Sequence, residues 1–455
     1  MRVHQAYRYA LDPTPEQAEA LASHCGAARF VFNWGLARVK AALDQRDAER
    51  SYAVAEDQLT EVPWSLYSLR RSWNLAKGEA APWWANNSKE AYNSGLDGVA
   101  RGLKNWAASR TGTRAGKKAG FPRFKSKHRT TPACRFTTGT IRVEVDRHHL
   151  TLPRLGAIRT RESTRKLARH LERGTGRILS ATVRLEGGRW VVALTCQIDR
   201  TQRTPALPGA VVGVDLGVKD LAVLSTGEVV ANPKHHRTAL RRLRRLNKQL
   251  ARRVGPRTPD GGWHEASARW FKAKAALARV HARVANQRRD GIHKLTTRLA
   301  STYGTVVVED LNVSGMLANR CLARAVADVG MGEVRRQLTY KTGWSGGRLV
   351  VADRWYPSSK TCSGCGAVKA KLPLSERTYE CTGCGLVLDR DLNAALNLAA
   401  LAADVAQSCG ETLNACGGAV SPGVRARLAP VKRELPQGRT LPRQRGGSLV
   451  LTEKH

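Results

Sequence analysis

The stretch AVVGVDLGVKDLAVLSTGEVVA, residues 210–231, decides how the fold is read. Short valine-rich runs separated by turn residues predict a strand leading into a β-hairpin, with the turn at 225–228. Asp215 closes the first run between Gly213 and Gly217. Glycine inside a strand marks a place where another backbone or a ligand comes close. The aspartate therefore sits where a strand ends and something else is expected to approach.

Two stretches downstream share that character. TVVVEDLNV, residues 305–313, reads as a buried strand ending on Glu309, and DRDLNAALNLA, residues 389–399, opens a helix with Asp389 and Asp391. Between them, 323–342 reads as one helix and RLVVADRWYP, residues 348–357, as another strand. The order strand, hairpin, helix, strand, helix, strand, helix matches a ribonuclease H-like domain. In that fold the first and fourth strands lie side by side in parallel, so Asp215 and Glu309 are expected to face each other, with the last helix bringing Asp391 to the same point. Three carboxylates repel unless cations neutralise them. Magnesium prefers oxygen ligands and keeps waters for a substrate phosphate, and two such ions can cleave a phosphodiester. Asp389 is expected to be a helix cap or a solvent-facing neighbour, and Asp310, beside Glu309, to be a surface residue.

Cys362-x-x-Cys365 and Cys381-x-x-Cys384 are separated by 15 residues, a zinc-ribbon spacing. Each pair lies in a tight turn, CSGCG or CTGCG, whose glycines let two thiolates converge. Four sulfur ligands make a closed, structural zinc site. The other cysteines are scattered and read as small apolar fillers or free thiols in a reducing compartment.

Composition names the partner. Of 455 residues, 76 are Lys or Arg against 37 Asp or Glu, a net charge of +39. Self-repulsion on that scale points to a polyanion, with nucleic acid ahead of an anionic membrane surface. No run of about 18 apolar residues suits a bilayer, and the N-terminus lacks the apolar core of a signal peptide. A cytoplasmic, nucleoid-associated protein is expected. The charge concentrates between Lys234 and Arg298, with 19 basic residues against three acidic ones. Leu240, Leu243, Leu246 and Leu250 mark one amphipathic helix there. Leu277, Val280, Val284, Leu295 and Leu299 mark a second. A phosphate backbone would pair their basic outer faces.

The N-terminal third divides differently. After a short strand, Thr14, Pro15 and Gln17 form a helix-start signal, and helical spacing follows to about Leu43. Residues 34–106 hold six of the 11 tryptophans, read chiefly as a helical core, with base stacking as the sharper alternative. A Gly-rich basic loop, 108–131, precedes alternating β-type runs over 133–199, including IRVEVD, HLTLP and a hairpin with its tip at EGG. A small barrel or sandwich with the helices inserted after its first strand is expected.

With GVDLGVKDLAVLSTGE, VVVEDLNVSGM, QLTYKTGW, RWYPSSKTCSGCG, YECTGCGLVLDRDLNAALNLA, AYRYALDPTPEQ and GFPRFKSK in view, the chain over residues 1–400 resembles the TnpB (OrfB) proteins of bacterial insertion sequences, relatives of the type V CRISPR effectors. The resemblance implies an α/β multidomain protein. A RuvC nuclease domain of ribonuclease H-like fold would span 209–357 and 386–402, with a zinc ribbon inserted at 358–385. A wedge β-barrel would be split over 1–13 and 119–203 around a helical recognition domain at 14–118. A basic tail, 403–455, is expected to be disordered.

The resemblance further implies Asp215, Glu309 and Asp391 as catalytic, magnesium-binding acids and Cys362, Cys365, Cys381 and Cys384 as zinc ligands. It implies a guide RNA from the transposon end and cleavage of double-stranded target DNA beside a short motif, supporting retention of the element. A nuclease-inactive, guide-directed regulator is the nearest alternative, but relatives of that kind lose active-site acids and all three are here. A DNA-strand transposase is the second, and its acids usually run Asp, Asp, Glu rather than Asp, Glu, Asp.

Overall fold

A computed structural model describes residues 1–409 except 128, 138, 257–261, 263 and 374, with side chains described to 402. The basic tail beyond 409 lies outside the described residues. Strands β1 (Arg2–Asp12), β2 (Ala133–Phe136), β3 (Arg142–Val143), β4 (His149–Leu152), β5 (Gly156–Thr160), β6 (Gly176–Glu186) and β7 (Arg189–Asp199) form one sheet in the order β2-β6-β7-β1-β5-β4-β3. The predicted EGG tip joins β6 to β7, with Gly187 and Gly188 both at positive φ. IRVEVD is strand only at Arg142–Val143. The Asp146 carboxylate takes the N–H groups of His148 and His149, turning the chain with Arg147 at φ 60°, and this local bonding outcompetes the ladder.

Three helices lie between β1 and β2 in the chain: α1 (Pro15–Ser51), α2 (Leu66–Ala80) and α3 (Lys89–Arg110). Thr14 and Gln17 form the predicted reciprocal cap of α1, which runs a further two turns past Leu43. These helices share one continuous apolar core with the sheet, from Tyr7 and Leu11 through Leu21, Val31, Trp73 and Leu96 to Phe136 and Val192. The backbones of α1 and α3 meet closely at Gly95, where a β-carbon would stand 2.3 Å from the carbonyl oxygen of Ala28. The tryptophans divide. Trp73 is buried and Trp34 packs on the core, while Trp64, Trp83 and Trp84 are exposed, and Trp64 stacks on Trp106 at 6.0 Å. The short α4 (Arg165–Glu172) packs beside β6.

The second sheet positions the site. It comprises β8 (Leu207–Asp215), β9 (Asp220–Leu224), β10 (Val229–Ala231), β11 (Tyr303–Glu309) and β12 (Arg348–Ala352), in the order β10-β9-β8-β11-β12. The pairs β8–β9 and β9–β10 are antiparallel, whereas β8–β11 and β11–β12 are parallel. The first and fourth strands of this sheet are therefore neighbours, in the expected orientation. Helices α5 (His235–Ala251) and α6 (Ala268–Thr302) join the hairpin to β11. Leu243 and Leu246 pack against Val280, which leaves Arg241, Arg242, Arg244, Arg245 and Lys248 exposed.

After α7 (Val313–Ala318), the single helix expected at 323–342 is two: α8 (Ala323–Val329) and α9 (Met331–Trp344). Gly330 adopts φ 76° between them, a left-handed conformation that ends a helix and that glycine reaches without steric penalty. The strand expected over 348–357 stops at Ala352, because Asp353 accepts the N–H of Trp355 and turns the chain. Two short strands, β13 (Thr378–Glu380) and β14 (Val387–Asp389), precede the last helix, α10 (Arg390–Cys409).

The sheet is covered on both sides. Val212, Val214, Val306 and Val308 face α6 and α9 through Leu295, Leu299, Val334 and Leu338. Val307 and Ala352 face α10 through Leu398 and Ala402. Successive strand residues alternate faces, so Gly213, Asp215 and Glu309 belong to the α10 side.

Candidate active site

Gly213 fixes the approach of α10. A β-carbon there would lie 1.9 Å from the carbonyl oxygen of Ala395 and 2.7 Å from the amide nitrogen of Ala399. Only glycine admits the helix backbone this close. Val214 pairs with Val308, and one residue further both parallel strands end on a carboxylate, Asp215 and Glu309. Asp391, one turn before Ala395, comes from the first turn of α10.

The neighbouring acids bear on Asp215. Burial pushes the Asp215 carboxyl up to about 8, reinforced by the charges of Glu309 and Asp391 and opposed by Arg390. Glu309 accepts a hydrogen bond from the Ser358 hydroxyl. Arg377 Nη1 stands 3.9 Å from Asp391 Oδ1. Asp389 is the helix cap, its Oδ1 accepting the N–H groups of Asp391 at 2.9 Å and Leu392 at 3.2 Å. Asp310, expected at the surface, is partly exposed and is clamped there by Arg335 and Arg354, which hold its carboxyl below the usual carboxylate range.

The cysteines form a tighter group. The sulfurs of Cys362, Cys365, Cys381 and Cys384 all lie within 4.8 Å of one another, the one set of three or more His, Cys, Asp or Glu ligand atoms so close among the described residues. Cys362–Cys384 and Cys365–Cys381 are 3.6 and 3.5 Å apart. Zinc–sulfur bonds of about 2.3 Å place tetrahedral sulfurs about 3.8 Å apart, so the cluster could bind zinc. Its halves repeat one geometry. Cys362 N–H bonds Ala367 and Cys381 N–H bonds Leu386, while Gly366 and Gly385 return to the carbonyls of Cys362 and Cys381. Gly366 and Gly385 adopt φ 77° and 72°. The N–H groups of Cys384 and Gly383 lower the Cys381 thiol, whereas Cys365 and Cys384, hydrogen-bonded to the neighbouring sulfurs, are raised.

Sequence reasoning missed the residues that join these two features. Asn393 and Asn397, buried on α10, donate to the carbonyls of Thr361 and Ser358 in the loop before the cysteines. Their signal was present: two asparagines four residues apart in an apolar helix share one face and need partners once buried.

A cleft of about 720 Å³ lies between the first sheet and α5–α6, lined by Arg8, Arg189, Arg242, Arg279, Arg283 and Arg289 among others. Among the described residues, no helix is long and apolar enough to cross a membrane.

Together these features define a mixed α/β protein with a carboxylate site at the ends of parallel strands and a zinc-type cysteine module beside it. Family models match three stretches of the chain. The family model described as "Probable transposase" matches residues 193–320, and "Cas12f1-like, TNB domain" matches 332–398. "Helix-turn-helix domain" matches 1–47, although here that span is one strand followed by one unbroken helix. A Mycobacterium tuberculosis protein named "Putative RNA-guided DNA endonuclease" is 41% identical over 414 residues, covering 87% of this chain and 86% of its own. Relatives of the same description from Streptomyces pristinaespiralis and Escherichia coli K12, the latter called InsQ, are 35% and 30% identical. They cover 96% and 94% of this chain and 98% and 97% of their own. The solved structure titled "Cryo-EM structure of the Cas12f1-sgRNA-target DNA complex" aligns with a TM-score of 0.44 at 14% identity, over 88% of this chain and 99% of its own. The chain belongs to the TnpB (OrfB) family.

Proposed function

We propose that this chain is an RNA-guided DNA endonuclease that hydrolyses phosphodiester bonds at Asp215, Glu309 and Asp391. The near-full-length identity of 41% to a relative of that name is the observation that carries the reading. The site's chemistry supports it. The donors are all carboxylate oxygens, which suit Mg²⁺ rather than a thiophilic metal. Burial raises the Asp215 carboxyl and the neighbouring acids add to it, a cluster that a divalent cation would relieve. Bound there, a pair of Mg²⁺ ions supplies an activated water and a stabilised leaving oxygen.

The chain's own residues do the positioning. The β8–β11 register aims Asp215 and Glu309 at one place, and Gly213 lets α10 descend far enough to add Asp391. In this reading 209–357 and 386–402 are a RuvC nuclease domain with a structural zinc ribbon at 358–385. Residues 1–13 and 119–203 are the wedge, and 14–118 recognise the nucleic acid. The arginine-lined cleft and the exposed face of α5 suit a phosphate backbone, and base pairing with a guide RNA from the transposon end reads the target.

The test is to express the chain with its native downstream DNA, sequence the RNA that copurifies, and assay guided cutting. Cutting should require Mg²⁺ and fall to background in Asp215→Ala. Absence of bound RNA, or undiminished cutting by Asp215→Ala, would overturn the reading.

A further inference from the structure

Glu309 and the cysteine module are joined by hydrogen bonds that neither the strand order nor the cysteine spacing demands. The Ser358 hydroxyl donates to Glu309 Oε1. Asn397 Nδ2 donates to the carbonyls of Ser358 and Thr361, each at 2.7 Å. One turn earlier, Asn393 Nδ2 donates to the same Thr361 carbonyl at 2.7 Å, and its Oδ1 accepts the N–H of Ser363 at 2.9 Å. Thr361 and Ser363 flank Cys362. Ser358, Asn393 and Asn397 are all buried, where an unpaired amide is costly and a paired one is rigid.

The bonding has a direction. The two asparagine amides take up the backbone of the loop and leave the serine hydroxyl free to reach the carboxylate. The loop is pinned at both ends of the reach. Arg354 bonds the Asp310 carboxylate at 2.8 Å on one side, and the Cys362 turn closes the other. A carboxylate at a strand end rotates about its own side-chain torsions unless something holds it. Ser358 holds Glu309, α10 holds Ser358, and the cysteine turn holds the segment both rest on.

We propose that Ser358 is a positioning residue for Glu309, and that the cysteine module, acting through Asn393, Asn397 and Ser358, sets the cation affinity of the carboxylate site. The inference rests on the carboxylates being that site. The module is then part of the nuclease centre's support rather than a separate appendage, and loss of its metal would weaken binding of the other metal. Groups that orient a metal ligand from behind typically change metal affinity about 10- to 100-fold when removed.

The experiment uses the full-length chain with its copurified RNA. Two quantities are read: the Mg²⁺ concentration for half-maximal cutting, and the Tb³⁺ concentration for half-maximal sensitised luminescence, which needs no turnover. Ser358→Ala should raise both midpoints by about tenfold or more, and Ser358→Thr, which keeps the hydroxyl, should restore them. A purely structural defect would lower the active fraction and leave the midpoints in place. Cys365→Ser should raise the midpoints as Ser358→Ala does, and the double variant should be no worse than either, because both break one chain of contacts. Should Cys365→Ser misfold, the Ala and Thr variants of Ser358 still decide. Wild-type midpoints in Ser358→Ala, with Asp215→Ala inactive and unable to bind Tb³⁺, overturn the coupling alone. Wild-type binding and cutting in Asp215→Ala overturn the reading of the site and the coupling with it.

Discussion

The cysteine module and the carboxylate site stand side by side, and they are built on opposite principles. Four sulfurs converge within 4.8 Å on two matching turns whose backbone hydrogen bonds already point them inward. Three carboxylates are brought near each other by separate elements, close enough to add to the rise that burial gives Asp215 but outside that tight grouping. The module is closed, local in sequence and readable from spacing. The candidate carboxylate site is assembled from residues 215, 309 and 391, which are distant in sequence and carried by two strands and a helix. A closed set holds a metal for structure and an open set can use one for chemistry.

The largest expected effect tests the closed half. Cys381→Ser should remove the single zinc from each chain, measured by elemental analysis. It should also open residues 358–389 to limited proteolysis, since structural zinc in small modules contributes about 10–16 kcal/mol of binding free energy. Asp215→Ala should keep its zinc. Loss of zinc from both variants would break the distinction between the sites. Next comes the contact that builds the open half. Gly213→Ala places a β-carbon against the Ala395 carbonyl, where helix backbone rather than a flexible side chain must yield. A cost of about 3 kcal/mol, the upper part of the overpacking range, is expected in thermal unfolding. A variant as stable as wild type would show that α10 does not seat where described.

A pH-dependent effect follows from the Asp215 carboxyl, read in magnesium-free buffer. Its folded value is raised, so the folded chain keeps a proton up to about pH 8, while the unfolded chain releases it near pH 4. The unfolded state thus binds fewer protons across that window, and stability falls as pH rises from about 4 to about 8. Asp215→Asn mimics the protonated form at every pH. It should match wild type near pH 4 and melt higher by pH 8, and Mg²⁺ should close the gap by stabilising only the wild type. Parallel melting curves across that range would remove the electrostatic argument for the site.

Much of this was legible in the sequence, for physical reasons that also explain the gaps. Asp215 and Glu309 could be aligned because parallel β8 and β11 end together, and Gly213 announced a close approach because a strand interior seldom tolerates glycine without one. The Thr14–Gln17 cap and the zinc spacing are local rules, and local rules read well. Ser358, Asn393 and Asn397 were missed because their partners lie on segments up to 49 residues away; the spacing of the two asparagines signals that buried amides need partners but not which ones. The division of 323–342 into two helices turned on one backbone angle at Gly330. The core shared by α1–α3 and the first sheet was hidden too, since periodicity shows which face is apolar but not what covers it.

The smallest prediction separates two neighbouring aspartates. Asp389 caps α10 through the N–H groups of Asp391 and Leu392 and is exposed. Asp389→Ala should therefore cost about 1 kcal/mol of stability, as lost caps do, while cutting continues at close to the wild-type rate. Asp389→Asn keeps an acceptor oxygen and should recover most of that stability. Asp391→Ala should behave in reverse. It removes no cap and relieves repulsion with Asp215, so its metal-free melting should equal or exceed the wild type while cutting falls to background. Unfolding curves and cleavage rates on the three variants distinguish the roles. If Asp389→Ala stops cutting without losing stability, the two aspartates have exchanged places, and the metal site begins one half-turn earlier along the chain than the seating of α10 over Gly213 places it.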